Sequence, residues 1–173
     1  MGNRAVITTP TFDASTSSNL GIYLHWNGGR DSIEPFLTYC KLKGHRPPEQ
    51  DCYGWARLCQ VIGNYFGGTN SIGIDKCSRL DCDNSDNGVY FIDKWEIVGR
   101  QFQPRSEQAQ YPLQEMLKEI NECQPEKERL EEKVIEDYCS KLEADKQQAV
   151  AKKEVVPVAA PKQKSNDAPE PSR

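Results

Sequence analysis

Residues 20–32, Leu20-Gly21-Ile22-Tyr23-Leu24-His25-Trp26-Asn27-Gly28-Gly29-Arg30-Asp31-Ser32, carry the chain from one kind of secondary structure into another. Leu20 to Trp26 alternates and is rich in β-formers. This predicts a strand with Ile22, Leu24 and Trp26 on one face and Tyr23 and His25 on the other. Gly28 and Gly29 then turn the chain, because glycine takes positive φ and lets another group approach the backbone closely. Beyond them Ile33, Phe36, Leu37 and Cys40 recur at helical spacing, with Pro35 tolerated near the first turn and Gly44 as a natural stop. Two readings of the turn fit. The glycines, the unpaired N–H groups of the helix start and Arg30 together make an anion seat that also takes in Trp26 and Asn27. The simpler reading is a tight turn with Asp31 or Ser32 as helix N-cap and Arg30 in solvent.

Arg4 to Thr9 precedes this stretch as a first strand, followed by a Ser/Thr loop from Asp13 to Ser18. Downstream, Pro47-Pro48 interrupts the chain, and Asp51 is placed to cap a second helix whose buried stripe is Trp55, Leu58, Cys59, Ile62 and Phe66, ended by Gly67-Gly68. The opposite face sets Tyr53, Arg57, Gln60 and Asn64 at i, i+4, i+7 and i+11, lining up an aromatic, a cation and two amides. Gly54 and Gly63 lower helix propensity there and suggest close approach of a backbone or a ligand. A solvated polar face with glycines that permit tight packing is the bland alternative.

Ser71 to Lys76 reads as a third strand. Val89–Ile92 and Trp95–Val98 read as a hairpin around Asp93-Lys94, which would set three antiparallel strands in succession. Asp81-Cys82-Asp83-Asn84-Ser85-Asp86-Asn87-Gly88 has calcium-loop composition, but counting from Asp83 puts Lys94 where an EF-hand needs a bidentate Glu. It reads as a polar turn. Residues 1–102 are thus expected to form one α+β domain, an antiparallel sheet packed against two helices. Residues 103–146 are expected to be a charged helical extension. Leu113, Met116, Leu117 and Ile120 mark one helix; a second starts at Pro125 with a thin stripe, Leu130, Val134, Tyr138 and Leu142, that needs the core or a second copy of itself as partner. The Ala/Lys/Pro/Glu-rich residues 147–173 predict disorder.

Composition narrows the function classes. A net charge of −4 excludes a general nucleic-acid binder. No apolar run reaches bilayer length and no signal-peptide pattern opens the sequence, so a soluble, cytoplasmic protein is expected. Seven cysteines with no Cys-x-x-Cys pair predict reduced thiols without a structural metal. Neither a Walker-type phosphate loop nor a Gly-x-Gly-x-x-Gly fingerprint is present, and no cofactor is implied. There are two histidines; His25, with Cys52 or Asp31 as companions, is the better candidate for acid–base work, but no nucleophile motif surrounds any Ser or Cys. No catalytic residue is assigned, and binding is expected rather than catalysis.

Met1-Gly2-Asn3-Arg4-Ala5-Val6-Ile7-Thr8, Gly21 to Asp31, Tyr53-Gly54-Trp55-Ala56-Arg57-Leu58 and Trp95-Glu96-Ile97-Val98-Gly99-Arg100 together resemble an uncharacterised family of small proteins encoded by bacteriophages and integrative mobile elements. The resemblance spans residues 1–102. It implies a bacterial host cytoplasm and a role in countering host defence, by sequestering a nucleotide signal or occupying a host protein. An anionic, nucleotide-like ligand would use an anion seat, an aromatic platform and amides, types that Trp26, Asn27, Gly28, Gly29, Arg30, Tyr53, Arg57, Gln60 and Asn64 supply. The competing expectation is an inhibitor that binds a host protein through an aromatic and Arg patch or through the C-terminal helices.

Overall fold

Four residues, Ala5–Thr8, make the central strand β1, and all four are buried. The computed structural model describes residues 2–69, 71–104, 106–108 and 110–154. The remaining elements are β2 Leu20–Leu24, α1 Arg30–Leu42, α2 Tyr53–Tyr65, β3 Ile72–Lys76, β4 Val89–Asp93, β5 Glu96–Gln101, α3 Leu113–Cys123 and α4 Glu132–Glu154.

The fold class is α+β, as the sequence predicts, but the sheet is mixed. Its order is β3-β2-β1-β4-β5. β1 runs antiparallel to β2, with Ile7 opposite Ile22, and parallel to β4, with Ile7 opposite Tyr90. The three later strands therefore do not lie in succession: β3 pairs with β2 at one edge, and the chain returns past it to set β4 beside β1. Burial on both faces of β1 explains this. One face, Ala5 and Ile7 with Ile22, Leu24, Tyr90 and Ile92, meets the helices; the other, Val6 with Val89, meets Ala14, Cys77 and Cys82 in a second, smaller core. A strand apolar on both faces belongs in the middle of a sheet.

The β4–β5 turn also differs from the sequence reading. Lys94 and Trp95 both have positive φ, 49° and 66°, so they and not Asp93-Lys94 are the two central residues of a type I′ hairpin. A tryptophan is a costly choice there. Its ring is only 4% exposed and its indole N–H donates to the His45 carbonyl at 2.7 Å, which offsets the backbone strain.

The helical stripe of α1 is buried as the spacing predicts, and α2 buries Leu58 and Ile62 fully while Trp55, Cys59 and Phe66 pack against the same core. Cys52, and not Asp51, is the N-cap of α2, but Asp51, two residues before the helix, still accepts the Tyr53 N–H on its carboxylate at 2.8 Å. The core does not stop at Phe102. Leu117 and Ile120 of α3 and Ile135 of α4 are fully buried in it, in one cluster with Phe36, Tyr39 and Cys40 of α1. The compact unit runs to Cys139, and Ser140 begins a second one. Of the expected thin stripe, Leu130, just ahead of α4, and Tyr138 pack against the core while Val134 is exposed; the buried contacts of α4 are made by Ile135 and Cys139, which that stripe did not include. Pro125 opens a 3-10 turn, Glu126–Glu128, ahead of that helix. Within the stretch expected to be disordered, residues 147–154 continue α4, consistent with their Ala, Gln, Lys and Glu content; residues 155–173 lie outside the described residues. Among the described residues no helix is long and apolar enough to cross a membrane.

Candidate functional site

The glycine turn is built by the protein's own backbone. Asn27, with φ 55°, takes the positive-φ position, and neither Gly28 nor Gly29 has positive φ. Gly28 is required for a different reason: its N–H donates to the Asn3 carbonyl at 2.7 Å, and a Cβ there would lie 2.6 Å from Arg4 C and Asn3 O. The close approach is that of the N-terminal segment. Gly29, not Asp31 or Ser32, is the N-cap of α1, and its carbonyl accepts from Ser32 and Ile33. Asn27 Nδ2 donates to Ser32 Oγ at 3.2 Å, which fixes the turn on the helix.

From that turn Arg30 enters a cavity of about 470 Å³ that Asn3, Asn87, Tyr90, Arg100 and Glu107 also line. Its Nε donates to Glu34 Oε2 at 2.8 Å, and its Nη1 lies 3.7 Å from Glu107 Oε1. Tyr111 donates its hydroxyl to the same Glu34 oxygen. Burial works against the Arg30 charge, but Glu34, the Tyr111 hydroxyl and Glu107 more than offset it and hold its pKa above the ordinary arginine value.

Arg100 is the second cation. Its guanidinium carbon sits 3.4 Å over the centroid of the Tyr90 ring. Nε donates to the Val89 carbonyl at 3.2 Å and Nη2 to the Asn87 carbonyl at 2.5 Å. Nη1 donates to both oxygens of Glu107, at 2.7 and 2.6 Å. Two guanidiniums therefore converge on one carboxylate at the wall of a cavity of small-molecule size, for which about 300–1,000 Å³ is usual. Tyr90 lies beneath Arg100, 1% exposed, and burial pushes its hydroxyl pKa up despite that cation.

The Tyr53-Arg57-Gln60-Asn64 stripe is elsewhere. Tyr53 and Arg57 line a different cavity, of about 500 Å³, with Gly44, His45, Arg46 and Asp51 at the far end of α1. The 13 residues of α1 separate that end from Arg30 by about 20 Å. Arg57 Nη1 donates to Gln60 Oε1 at 3.5 Å. Asn64 donates to Gln124, and the crevice that Gln60 and Asn64 line has only about 10 Å³, room for no more than a water. Gly54 meets the backbone of Pro47 and Pro48, and nothing lies within 4 Å of a Cβ at Gly63. The composite site expected from sequence is thus not assembled: Arg30 lines one cavity, which Trp26, Asn27, Gly28 and Gly29 do not line, and Tyr53 and Arg57 line another. Trp26, 45% exposed, stands edge-on against His25 at 4.8 Å between ring centroids.

Sequence reasoning missed Asn3, Asn87, Tyr90, Arg100 and Glu107. A β-bulge between Phe91 and Ile92 sets Tyr90 opposite Arg100; without it Tyr90 would face Gly99. An arginine in a strand two residues after an apolar one was the signal available, and it is a weak one.

Several other chemistry-bearing groups are tied into the fold. Asn84 Oδ1 accepts the backbone N–H of Asp86, Asn87 and Gly88, so the acidic loop is a turn organised on one side chain, and Asp86 receives Arg4 Nε at 2.7 Å. Among the described residues no group of three or more His, Cys, Asp or Glu is placed to hold a metal ion. Burial raises the thiol pKa of Cys40 and Cys77, and lifts Cys59 and Cys82 to about 11, which makes these four poor nucleophiles at neutral pH. The fold and cavity thus define an α+β protein with an arginine-lined polar cavity. Compared with protein-family models, curated proteins and solved structures, the chain has no match.

Proposed function

We propose that the protein is a binding protein, not an enzyme, and that the Arg30-Arg100 cavity takes a phosphate-bearing ligand of nucleotide size. The observation that supports this is the convergence of both guanidiniums on a single oxyanion, the Glu107 carboxylate, with Arg100 stacked over Tyr90. Such a fork suits phosphate as well as carboxylate, and a planar guanidinium is also a stacking surface for a base. The resemblance to phage and mobile-element proteins adds the context, a bacterial cytoplasm in which a sequestered nucleotide signal would blunt host defence. Titration with adenosine monophosphate tests the reading. Saturable binding is expected, weakened about 10- to 100-fold in Arg100→Gln, the range for a lost charged hydrogen bond, with Tyr53→Ala unchanged. No saturable binding by either the wild type or a Glu107 variant would overturn it.

A second reading rests on the other end of α1. Tyr53 is 62% exposed beside Arg57, residue types that anchor protein interfaces, which favours an inhibitor that docks there on a host protein. In that case Tyr53→Ala, and not Arg100→Gln, abolishes capture of the partner.

A further inference from the structure

The anion seat is already filled from within the chain. Glu107 lies between β5 and α3, outside any helix or strand, and its two oxygens take the place that an incoming oxyanion would need on Arg100 Nη1. We propose that Glu107 is a built-in occupant of the seat, and that a phosphate or carboxylate ligand binds by displacing it from Arg100 and Arg30. The inference rests on the binding function proposed above.

Three features of the geometry support displacement over a permanent structural pair. First, the guanidiniums do not depend on Glu107 for their positions. Arg100 stays held by the Asn87 and Val89 carbonyls and the Tyr90 ring, and Arg30 by Glu34, so removal of the carboxylate leaves two cations fixed and preorganised for another anion. Second, the Glu107 side chain is 32% exposed while that of Arg100 is 12% exposed. The carboxylate can rotate into water at small solvation cost, and the cation cannot. Third, Glu107 belongs to no backbone ladder, so its departure breaks no secondary structure. A phosphate dianion brings more charge and more acceptor oxygens than a carboxylate, and so competes well for the same donors.

The consequence is a site whose affinity is set by competition. Taking the internal carboxylate away must strengthen ligand binding, the opposite of what the loss of a ligand-contacting residue does. Glu107→Gln keeps the shape and removes the charge, and Glu96→Gln makes the same charge change at the carboxylate that holds Lys41, which is absent from the cavity lining. The experiment titrates wild type, Glu107→Gln, Glu107→Ala and Glu96→Gln with adenosine monophosphate, inorganic phosphate and succinate at one ionic strength. Thermal melting confirms that each variant is folded. The expected result is binding tightened about three- to tenfold in both Glu107 variants and unchanged in Glu96→Gln. The three probes show whether the seat takes phosphate alone, phosphate on a nucleoside, or any carboxylate. Equal affinity in wild type and both Glu107 variants overturns displacement while leaving the binding site standing, and so does an equal gain in Glu96→Gln, which would be a net-charge effect. Saturable binding in none of the four proteins overturns the underlying function instead.

Discussion

Asn64, on the polar face of α2, donates its side-chain amide to Gln124 Oε1 at 2.9 Å, tying that helix to the end of α3. Gln124 is 3% exposed, and its own amide donates to the Val61 and Ile120 carbonyls, both at 3.1 Å. One buried glutamine thus satisfies two main-chain carbonyls and a side chain from two helices. What reads along the sequence as the ligand-facing end of a stripe is the inner surface of a helix junction.

Gln124→Ala should therefore cost about 1–3 kcal/mol, the range for leaving buried polar partners unsatisfied. Chemical denaturation measures it. A loss within about 0.5 kcal/mol, the usual effect of a surface substitution, would show that water replaces the amide at no cost.

A chain ending at residue 102 should fail to unfold cooperatively, whereas one ending at residue 146 should keep a single transition. Leu117, Ile120 and Ile135 are each fully buried in the main core. At about 1.5–3 kcal/mol per side chain, their loss removes about 5–9 kcal/mol, comparable to the whole stability of an ordinary domain. Calorimetry of the two chains decides the point, and a cooperative transition in the shorter one would restore Phe102 as a boundary.

Two glycines should respond to alanine in opposite directions. At Gly28 a Cβ meets Arg4 and Asn3 main-chain atoms at 2.6 Å, and backbone cannot give way as a flexible side chain can, so Gly28→Ala should destabilise by about 1–3 kcal/mol. At Gly63 nothing lies within 4 Å, so Gly63→Ala should stabilise by about 0.5–1 kcal/mol through lower unfolded-state entropy and better helix propensity. Melting temperatures of the pair test both signs at once.

Acidification should weaken the fold through His45. Burial, followed by the charges of Arg57 and Lys43, lowers its pKa below the ordinary 6.5, with Glu128 opposing. The folded state therefore favours neutral imidazole. The stability this contributes is complete above the unfolded-state value and is lost as the pH falls through the lower, folded value. Between about pH 7 and pH 5 the wild type should lose more stability than His45→Gln. Parallel curves for the two proteins would remove His45 as the cause.

Much of the architecture is legible locally. Ile33, Phe36, Leu37 and Cys40 mark the buried side of α1, and Leu58 and Ile62 that of α2, because a helix repeats its faces every 3.6 residues whatever it packs against. The limits are equally local. Leu117 and Ile120 look like an appended amphipathic surface until they are seen buried in the main core, since periodicity shows that a face is apolar but not what meets it; Ile135, equally buried, lies off the expected stripe.

For the site, local patterning alone places Arg30 at a helix start, after a strand and a glycine turn. Which other side chains share its cavity follows from strand order and register. β4 returns parallel to β1, and a bulge shifts β5 by one residue, so that Arg100 lies over Tyr90 and faces Glu107. Helical spacing aligned Tyr53, Arg57, Gln60 and Asn64 just as clearly, but it could not show that the length of α1 separates Tyr53 and Arg57 from Arg30 or that Gln124 covers Asn64. Hydrophobic periodicity fixes a residue's orientation within its own element. The meeting of charges from different elements depends on strand order and register, which long-range packing selects.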